Sequence, residues 1–478
     1  MRKIRLIAGT LIGLIGVPAF GQQPFDLDPD FRLNVQDQYV NDVLPLGDNT
    51  ILISGRFKFP GDEYFRSGSR IDLYGNVLAQ WPLGSRITPW EGMFYCGAGP
   101  GVTRVLSTGQ TDFSFMNNAS QYMGPQGGDF HVYDDGRLLI SGSHLIDIPE
   151  ANLSGLYELV WVKTSGHLDT TRIPRKSDGV IFEIEEQPDG KFLCTGTMTT
   201  YEGEPVTRIF RIHPNGDLDN TFQAEIDQWG EAFEFLTLPD GRILAGGVFR
   251  TIDQQDTLCL IRLHPDGQLD DTFQHVRCDV TISTGFGYVL HLHPLPDGRL
   301  IMTGKFDEVN GEDRGAIAML SENGELMENV FFGEGCGQFT SPGDQLPRKG
   351  VSVIRPAPDG SFYIAGSYHG YDDGTTNDPL QRFVSRLHGL NVGVKELGTS
   401  QLQVHPNPAS GTVSIQIPVD LQRAEFQIHD ALGRLVHQEW IHSLDQLSLD
   451  VASWPAGLYQ LQLIAEGSKR AVGKLIVE

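Results

Sequence analysis

The sequence has almost no helical patterning. Beyond its first twenty residues no run of apolar positions recurs at i, i+3, i+4, i+7, which excludes bundles and doubly wound α/β folds. Basic residues are scarce, with 36 Lys and Arg against 61 Asp and Glu and a net charge of −25. A surface of that sign repels DNA, RNA and anionic lipid, so no nucleic-acid partner is expected. After Val17 no apolar run is long enough to span a bilayer, so no transmembrane segment is expected. The cysteines number only five, at positions 96, 194, 259, 278 and 336, and their spacing fits no zinc pattern. No G-x-S-x-G elbow, phosphate loop or dinucleotide fingerprint occurs. Catalytic residues, cofactors and metal ligands are therefore not predicted from motifs.

What the chain does contain is glycine and proline, 56 and 27 residues, and a stretch that repeats. Leu238–Phe273 reads LPDGRILAGGVFRTIDQQDTLCLIRLHPDGQLDDTF. Copies begin at Asp135-Gly136, Asp189-Gly190, Asp240-Gly241, Asp297-Gly298 and Asp359-Gly360, with worn versions at Leu46–Phe57 and Glu91–Gly97. Each unit divides into four strands, with Pro-Asp-Gly turns between the first and second and between the third and fourth. Proline presets φ, Asp bonds to the turn backbone, and Gly takes the positive φ of a tight hairpin. Seven such units at intervals of 43 to 62 residues predict an all-β fold, a seven-bladed β-propeller. The last copy stops at Arg386-Leu387-His388-Gly389 without its fourth strand, while Leu27-Asp28-Pro29-Asp30-Phe31 repeats the fourth-strand pattern of Leu269–Phe273. The N-terminal strand is thus expected to complete the last blade and remove two open sheet edges. The units resemble the delta-60 repeats of secreted bacterial propellers, most closely in Asp189–Phe222 and Asp240–Phe273. That resemblance implies a fold and an extracellular setting. It carries no catalytic residues.

Residues 1–21 read as a secretory signal peptide: Arg2, Lys3 and Arg5, the apolar run Leu6–Val17, then Ala19-Phe20-Gly21. Its removal would take the net charge from −25 to −28. The propeller is assigned to residues 22–390 and a linker to 391–400. Residues 401–478 change character. Val413 and Ile415, Phe426 and Ile428, and Tyr459, Leu461 and Leu463 alternate as in half-buried strands. A small immunoglobulin-like β-sandwich is expected there. Pro406-Asn407-Pro408, the turn around Gly433, Pro455-Ala456-Gly457 and the closing Lys474-Leu475-Ile476-Val477 resemble the type A C-terminal sorting domain of the type IX secretion system of Bacteroidota. The resemblance implies two partners, the type IX machinery and a sortase-like peptidase. It also implies passage through the periplasm to secretion or attachment at the outer-membrane surface.

The short Asp-Gly turns all fall on one face of such a propeller and the variable loops on the other. Rigidly held variable loops are the usual place for binding. Candidate binding residues there are Tyr64, Tyr122, Tyr201, Tyr371, Asp372 and Asp373, an aromatic and acidic mixture suited to a glycan or a protein segment. Tyr371–Asp378 is rich in oxygen donors but lacks an EF-hand's spacing, so calcium stands as a minor alternative. His213 and His264 precede the same turn in successive units and read as structural, and His291 and His293 alternate on one strand without an evident third metal ligand. Cys278 and Cys336 each lie five residues beyond the Phe ending a fourth strand, Phe273 and Phe331. That equivalence makes them the candidate disulfide. Three functions compete: a non-catalytic glycan- or protein-binding or adhesion module, a metal-dependent propeller hydrolase or lyase, and a structural cell-surface or biofilm protein. Acids converging on the central channel would favour the second.

Overall fold

The structure is a computed structural model. It describes residues 23–98, 101–119, 121–122, 124–251, 257–281, 285–341, 347–390, 400–416, 424–430, 434–441, 446–465 and 468–478. The signal peptide, nearly all of the linker and Gly433 lie outside the described residues. The chain divides into two compact units with the boundary between Asn391 and Val392.

The first unit is a succession of antiparallel meanders. Sheet A comprises Asp37–Pro45, Thr50–Lys58, Arg66–Asp72 and Val77–Gln80; sheet B comprises Ile87–Trp90, Met93–Ala98 and Gly101–Val105. Sheet C comprises Gln126–Val132, Leu138–Ile148 and Leu153–Val162; sheet D comprises Ile181–Glu186, Phe192–Gly196 and Ile209–Ile212. Sheet E comprises Gly230–Thr237, Ile243–Arg250 and Thr257–Leu263; sheet F comprises Tyr288–Pro294, Leu300–Lys305 and Ile317–Leu320. Sheet G comprises Gly350–Pro356, Phe362–Asp372 and Asn377–Leu387. Each sheet packs on the next, and the first strand of A packs on the first two strands of G. This is a β-propeller.

Period-two alternation supplies the packing. Sheets A and B share Leu52, Trp81, Ile87 and Phe94. Sheets E and F share Leu244, Leu260, Leu292 and Leu300. Sheets G and A share Val353, Tyr363, Val40 and Ile53. Comparable clusters fill the other junctions.

The predicted fourth strands are shorter than expected. Among the described residues only sheet A has one. Elsewhere the outer strand is an isolated bridge, as at Leu263↔Leu269, Ile212↔Leu218 and Leu320↔Leu326. The reason lies in the Asp after the bridging Leu. Asp270 Oδ1 accepts the Thr272 N–H at 3.0 Å and its hydroxyl at 2.5 Å, and the Phe273 N–H turns back to the Asp270 carbonyl at 3.0 Å. These bonds divert the backbone from the ladder. Asp270 Oδ2 meanwhile accepts Arg262 Nε at 2.7 Å, and that guanidinium donates to the Glu322 carbonyl of sheet F at 2.9 Å. Arg211–Asp219 and Arg104–Asp112 repeat the arrangement, donating to the carbonyls of Pro265 and Thr164. The repeated Asp therefore joins neighbouring sheets as well as shaping a turn. In sheet B it also caps a short helix, Phe113–Ala119, which the sequence reading did not anticipate.

The same arrangement appears across the chain's ends. Leu27 bridges Leu387, the Asp28 N–H donates to the Arg386 carbonyl at 2.8 Å, and Arg386 pairs with Asp28 at 2.7 Å. The contacts match those of Leu269 and Asp270 with Leu263 and Arg262.

The second unit has a five-stranded sheet, in the order Ser400–Gln401, Ser468–Val477, Gly457–Ala465, Ala424–Asp430, Leu435–Ile441, and a three-stranded sheet of Gln403–His405, Thr412–Gln416 and Gln446–Asp450. Val413, Ile415, Phe426, Ile428, Leu461, Leu463 and Leu475 share one core. Asn407 accepts the Ile476 N–H and donates to the Lys474 carbonyl, both at 2.8 Å, so the Pro-Asn-Pro motif holds the closing strand. At Gly457 the φ is not positive and a Cβ would meet nothing within 4 Å, so the backbone there does not demand glycine.

Candidate functional site

The variable face is built of β-hairpins more than of irregular loops. Thr200–Tyr201 pairs with Glu204–Pro205, and Glu308–Val309 with Glu312–Asp313. The hairpins of sheets C and G extend to Ile148 and Leu153, and to Asp372 and Asn377. Pairing the backbone turns tyrosines expected on the surface into core. Tyr122, Tyr201 and Tyr371 are at most 1% exposed, against 76% for Tyr64. Tyr122 packs in the core between sheets B and C, Tyr201 between C and D, and Tyr371 between F and G. Of the proposed aromatic residues, Tyr64 alone faces solvent.

The acids of Tyr371–Asp378 are engaged within their own hairpin. Asp372 accepts the Gly374 N–H at 2.8 Å and Asn377 Nδ2 at 3.2 Å. Asp373 accepts the N–H groups of Thr375 and Thr376 at 2.6 and 2.7 Å, and that of Leu27. The oxygens that calcium would need hold the loop and the N-terminal strand. Beside this hairpin, between sheets F and G, is a cleft of about 380 Å³ lined by Glu334, Gln338, Lys349, His369, Asp372 and Asn377. On the opposite, trimmed face a groove of about 680 Å³ separates sheets E and F. Its charged lining is largely paired within the repeats, through Arg242–Asp240, Arg262–Asp270 and Arg299–Asp297.

The cysteine pairing differs from the sequence expectation. Cys278 bonds to Cys259 with a Cα–Cα distance of 5.7 Å, and Cys336 is a free, buried thiol. After the Asp270 turn the chain returns to sheet E, where Val276 bridges Leu260, and this lays Cys278 beside Cys259. Cys336 instead packs between F and G. With its cysteines 19 positions apart in sequence, the bond is worth about 3 kcal/mol. Reduction is expected to lower the melting temperature by several degrees, and Cys259→Ser to erase that difference. Peptide mapping without reductant should find the two cysteines linked and the Cys336 thiol free.

No sequence motif marks the charged lining of the channel. Arg86 and the first strands of the sheets carry a ring of charge around it. Arg355 of sheet G pairs with Asp42 of A at 3.1 Å, and Asp42 accepts the Ile87 N–H of B at 2.8 Å. Arg86 pairs with Asp129 of C at 3.1 Å and reaches Glu183 of D at 3.6 Å. Glu234 of E faces His291 of F at 3.5 Å, and His291 Nε2 meets the Ile354 carbonyl of G at 3.1 Å. Between D and E the ring has no cation among the described residues, and Glu183, Glu185 and Glu234 oppose one another's ionisation. Burial, opposed by Arg86, pushes the Asp129 carboxyl up. Burial and the neighbouring Asp129 push Glu183 well up, and burial raises Glu185 to about 7. Asp129 and Glu183 both approach Arg86, and the charge on Asp129 opposes ionisation of Glu183. His293, on the same strand as His291, sits edge-on to Phe362 and is held near 4 by burial. Among the described residues no three His, Cys, Asp or Glu are grouped as a metal site, and no helix is long and apolar enough to cross a membrane.

Comparison with known proteins agrees with this architecture. Residues 403–478 match the family model "Secretion system C-terminal sorting domain". Residues 187–222, 238–273 and 295–326 match "Domain of unknown function (DUF5122) beta-propeller". The chain is a β-propeller carrying a C-terminal sorting domain. It joins repeats of that propeller family to the tail that directs proteins to the type IX machinery, which places it among secreted or cell-surface proteins. No curated protein matches it. Similar solved structures include the extracellular domain of a hybrid two-component system from B. thetaiotaomicron, at 7% identity and TM-score 0.21, covering 95% of this chain and 86% of that one. A one-component system's extracellular domain from the same organism matches at 9% and 0.18, covering 95% and 98%. A mannose phosphorylase from Leishmania mexicana matches at 11% and 0.27, covering 63% and 92%.

Proposed function

We propose that this is a secreted or surface-attached, seven-bladed β-propeller that binds a glycan or a protein segment through its hairpin-bearing face without catalysing a reaction. Sheets A to G are its blades and the Leu27–Leu387 pairing its closure. An N-terminal signal takes the chain to the periplasm, and an immunoglobulin-like C-terminal sandwich takes it across the outer membrane. The observation that carries the binding reading is the polar cleft of about 380 Å³ between sheets F and G. It offers amide, ammonium and carboxylate groups on a rigid scaffold, the chemistry that holds sugar hydroxyls or a peptide backbone. The whole processed chain is expected to bind members of a glycan array, with Gln338→Ala and Asn377→Ala weakening binding about tenfold, the worth of a lost hydrogen bond. Binding unchanged in both variants would remove the cleft from the reading.

One observation favours the hydrolase alternative: the Asp129 and Glu183 carboxyls, which meet beside Arg86, a pattern that suits general acid–base chemistry. Turnover of an array glycan that disappears in Glu183→Gln would replace the binding reading with it.

A further inference from the structure

Two aromatic residues outside the repeat motif stand at the hairpin-bearing face of neighbouring sheets. Trp229 precedes Gly230, the first residue of sheet E, and Phe286 precedes Gly287 and Tyr288, where sheet F begins. Gly230 has φ +88°, and a Cβ there would lie 2.0 Å from the Val248 carbonyl oxygen, so the backbone that presents Trp229 requires glycine. The rings meet edge to face at 5.0 Å. Arg250, which ends the second strand of sheet E, lies over the Trp229 ring at 4.2 Å. Phe286 is 48% exposed.

Two features mark this group as more than packing. First, Phe286 is half-exposed yet packed against Trp229, whereas isolated surface apolar side chains are not held this way. Second, Arg250 has no carboxylate or carbonyl partner among the described residues, although the chain has 61 acidic residues and most other arginines of the propeller are paired. Its guanidinium is stacked on Trp229. A stacked, unpaired arginine is built for a planar anion, which it holds by two parallel hydrogen bonds.

We propose that Trp229, Phe286 and Arg250 form a subsite for an acidic sugar, one ring of a uronate-containing glycan. The pyranose C–H face lies on Phe286, the carboxylate pairs with Arg250, and Trp229 positions both. This rests on the reading that the hairpin-bearing face binds ligands, and it adds the ligand's chemical class. An acidic polysaccharide suits a stacked arginine on a protein whose net charge is −25, since the acidic surface elsewhere repels it and leaves the subsite to set the register.

The test is calorimetric titration of the whole processed chain with hexagalacturonic acid, its neutral galactose counterpart and hexaglutamate, with Trp fluorescence as a second readout. The hexauronate is expected to bind, quench the fluorescence and weaken with salt, while the other two bind at least about tenfold more weakly. Arg250→Ala and Phe286→Ala should each weaken the hexauronate about tenfold, and Arg250→Lys should not restore it. Melting temperatures within about two degrees of the parent would show that the variants are folded. Equal binding of the neutral hexaose, equal binding of hexaglutamate, or no effect of the two alanine variants would each overturn the acidic-sugar assignment while leaving the face a binding surface. No binding of either carbohydrate would overturn the acidic-sugar assignment and leave a protein segment as the ligand of the face.

Discussion

Removal of residues 23–33 from the processed chain is expected to abolish cooperative folding of the propeller, and Asp28→Ala alone to cost about 3–5 kcal/mol. Phe25, Leu27, Phe31 and Leu33 are each at most 2% exposed. Phe25 and Leu27 pack between sheets F and G, and Phe31 and Leu33 between G and A. At about 1.5–3 kcal/mol for each buried side chain, their loss removes most of the about 5–15 kcal/mol that holds a typical domain. It also bares the edge of Asn377–Leu387 for pairing with another chain. Asp28→Ala removes one partner of a buried pair and leaves Arg386 with Asp359 alone. Asp270→Ala should cost a similar amount, because Arg262 is left in the same way. Urea unfolding and size-exclusion chromatography would measure both effects. A truncated chain that stays monomeric and unfolds at the parent's urea midpoint would sink the closure argument.

The second large effect is expected at Arg86. Arg86→Met should cost about 1–2 kcal/mol at pH 8, since its guanidinium is partly exposed and screened, and far less at pH 5. The sign follows from the carboxyls it faces. Asp129, Glu183 and Glu185 all have folded-state values raised above the ordinary range, Glu185 to about 7. Groups raised in this way contribute stability that is full below their unfolded values and is lost as pH rises through the folded ones. The parent should therefore already be less stable at pH 8 than at pH 5. Without the guanidinium the folded values move higher still, so the loss deepens at pH 8, while at pH 5 the protonated carboxyls need no cation. Asp178, Asp219 and Asp270 are held low by hydrogen bonds, so their contribution disappears only in stronger acid, outside this comparison. Urea midpoints of both proteins at the two pH values decide the matter. An equal cost at pH 5 and pH 8 would mean that Arg86 acts by packing and not by charge.

Much of the architecture was legible because it is local or periodic. The Asp-Gly turns, the alternation within strands and the kinship of Leu27–Phe31 with Leu269–Phe273 can be read within a few residues. A signal was also present for the aromatic rim and was passed over. Trp229 and Phe286 stand at the same distance before Gly241 and Gly298, which open the first turns of their units. A variable segment is not always a surface segment: hairpin pairing buries Tyr201 and Tyr371, and the turn after the short helix buries Tyr122. Cys278 was matched to Cys336 by repeat position, but covalent pairing follows distance. The broken outer strand that brings Cys278 back beside Cys259 depends on how Asp270 spends its oxygens.

From the sequence alone came the repeating strand–turn unit, the two-part organisation and the export tail, since each is written in residues that act on their near neighbours. Tertiary structure alone decided that Arg86, Asp129, Glu183 and Glu234 meet around one channel, and that Arg250 stacks on Trp229 without a partner. Those residues belong to different sheets or strands, and nothing in their local sequence records which side chains the closing of a ring will bring together.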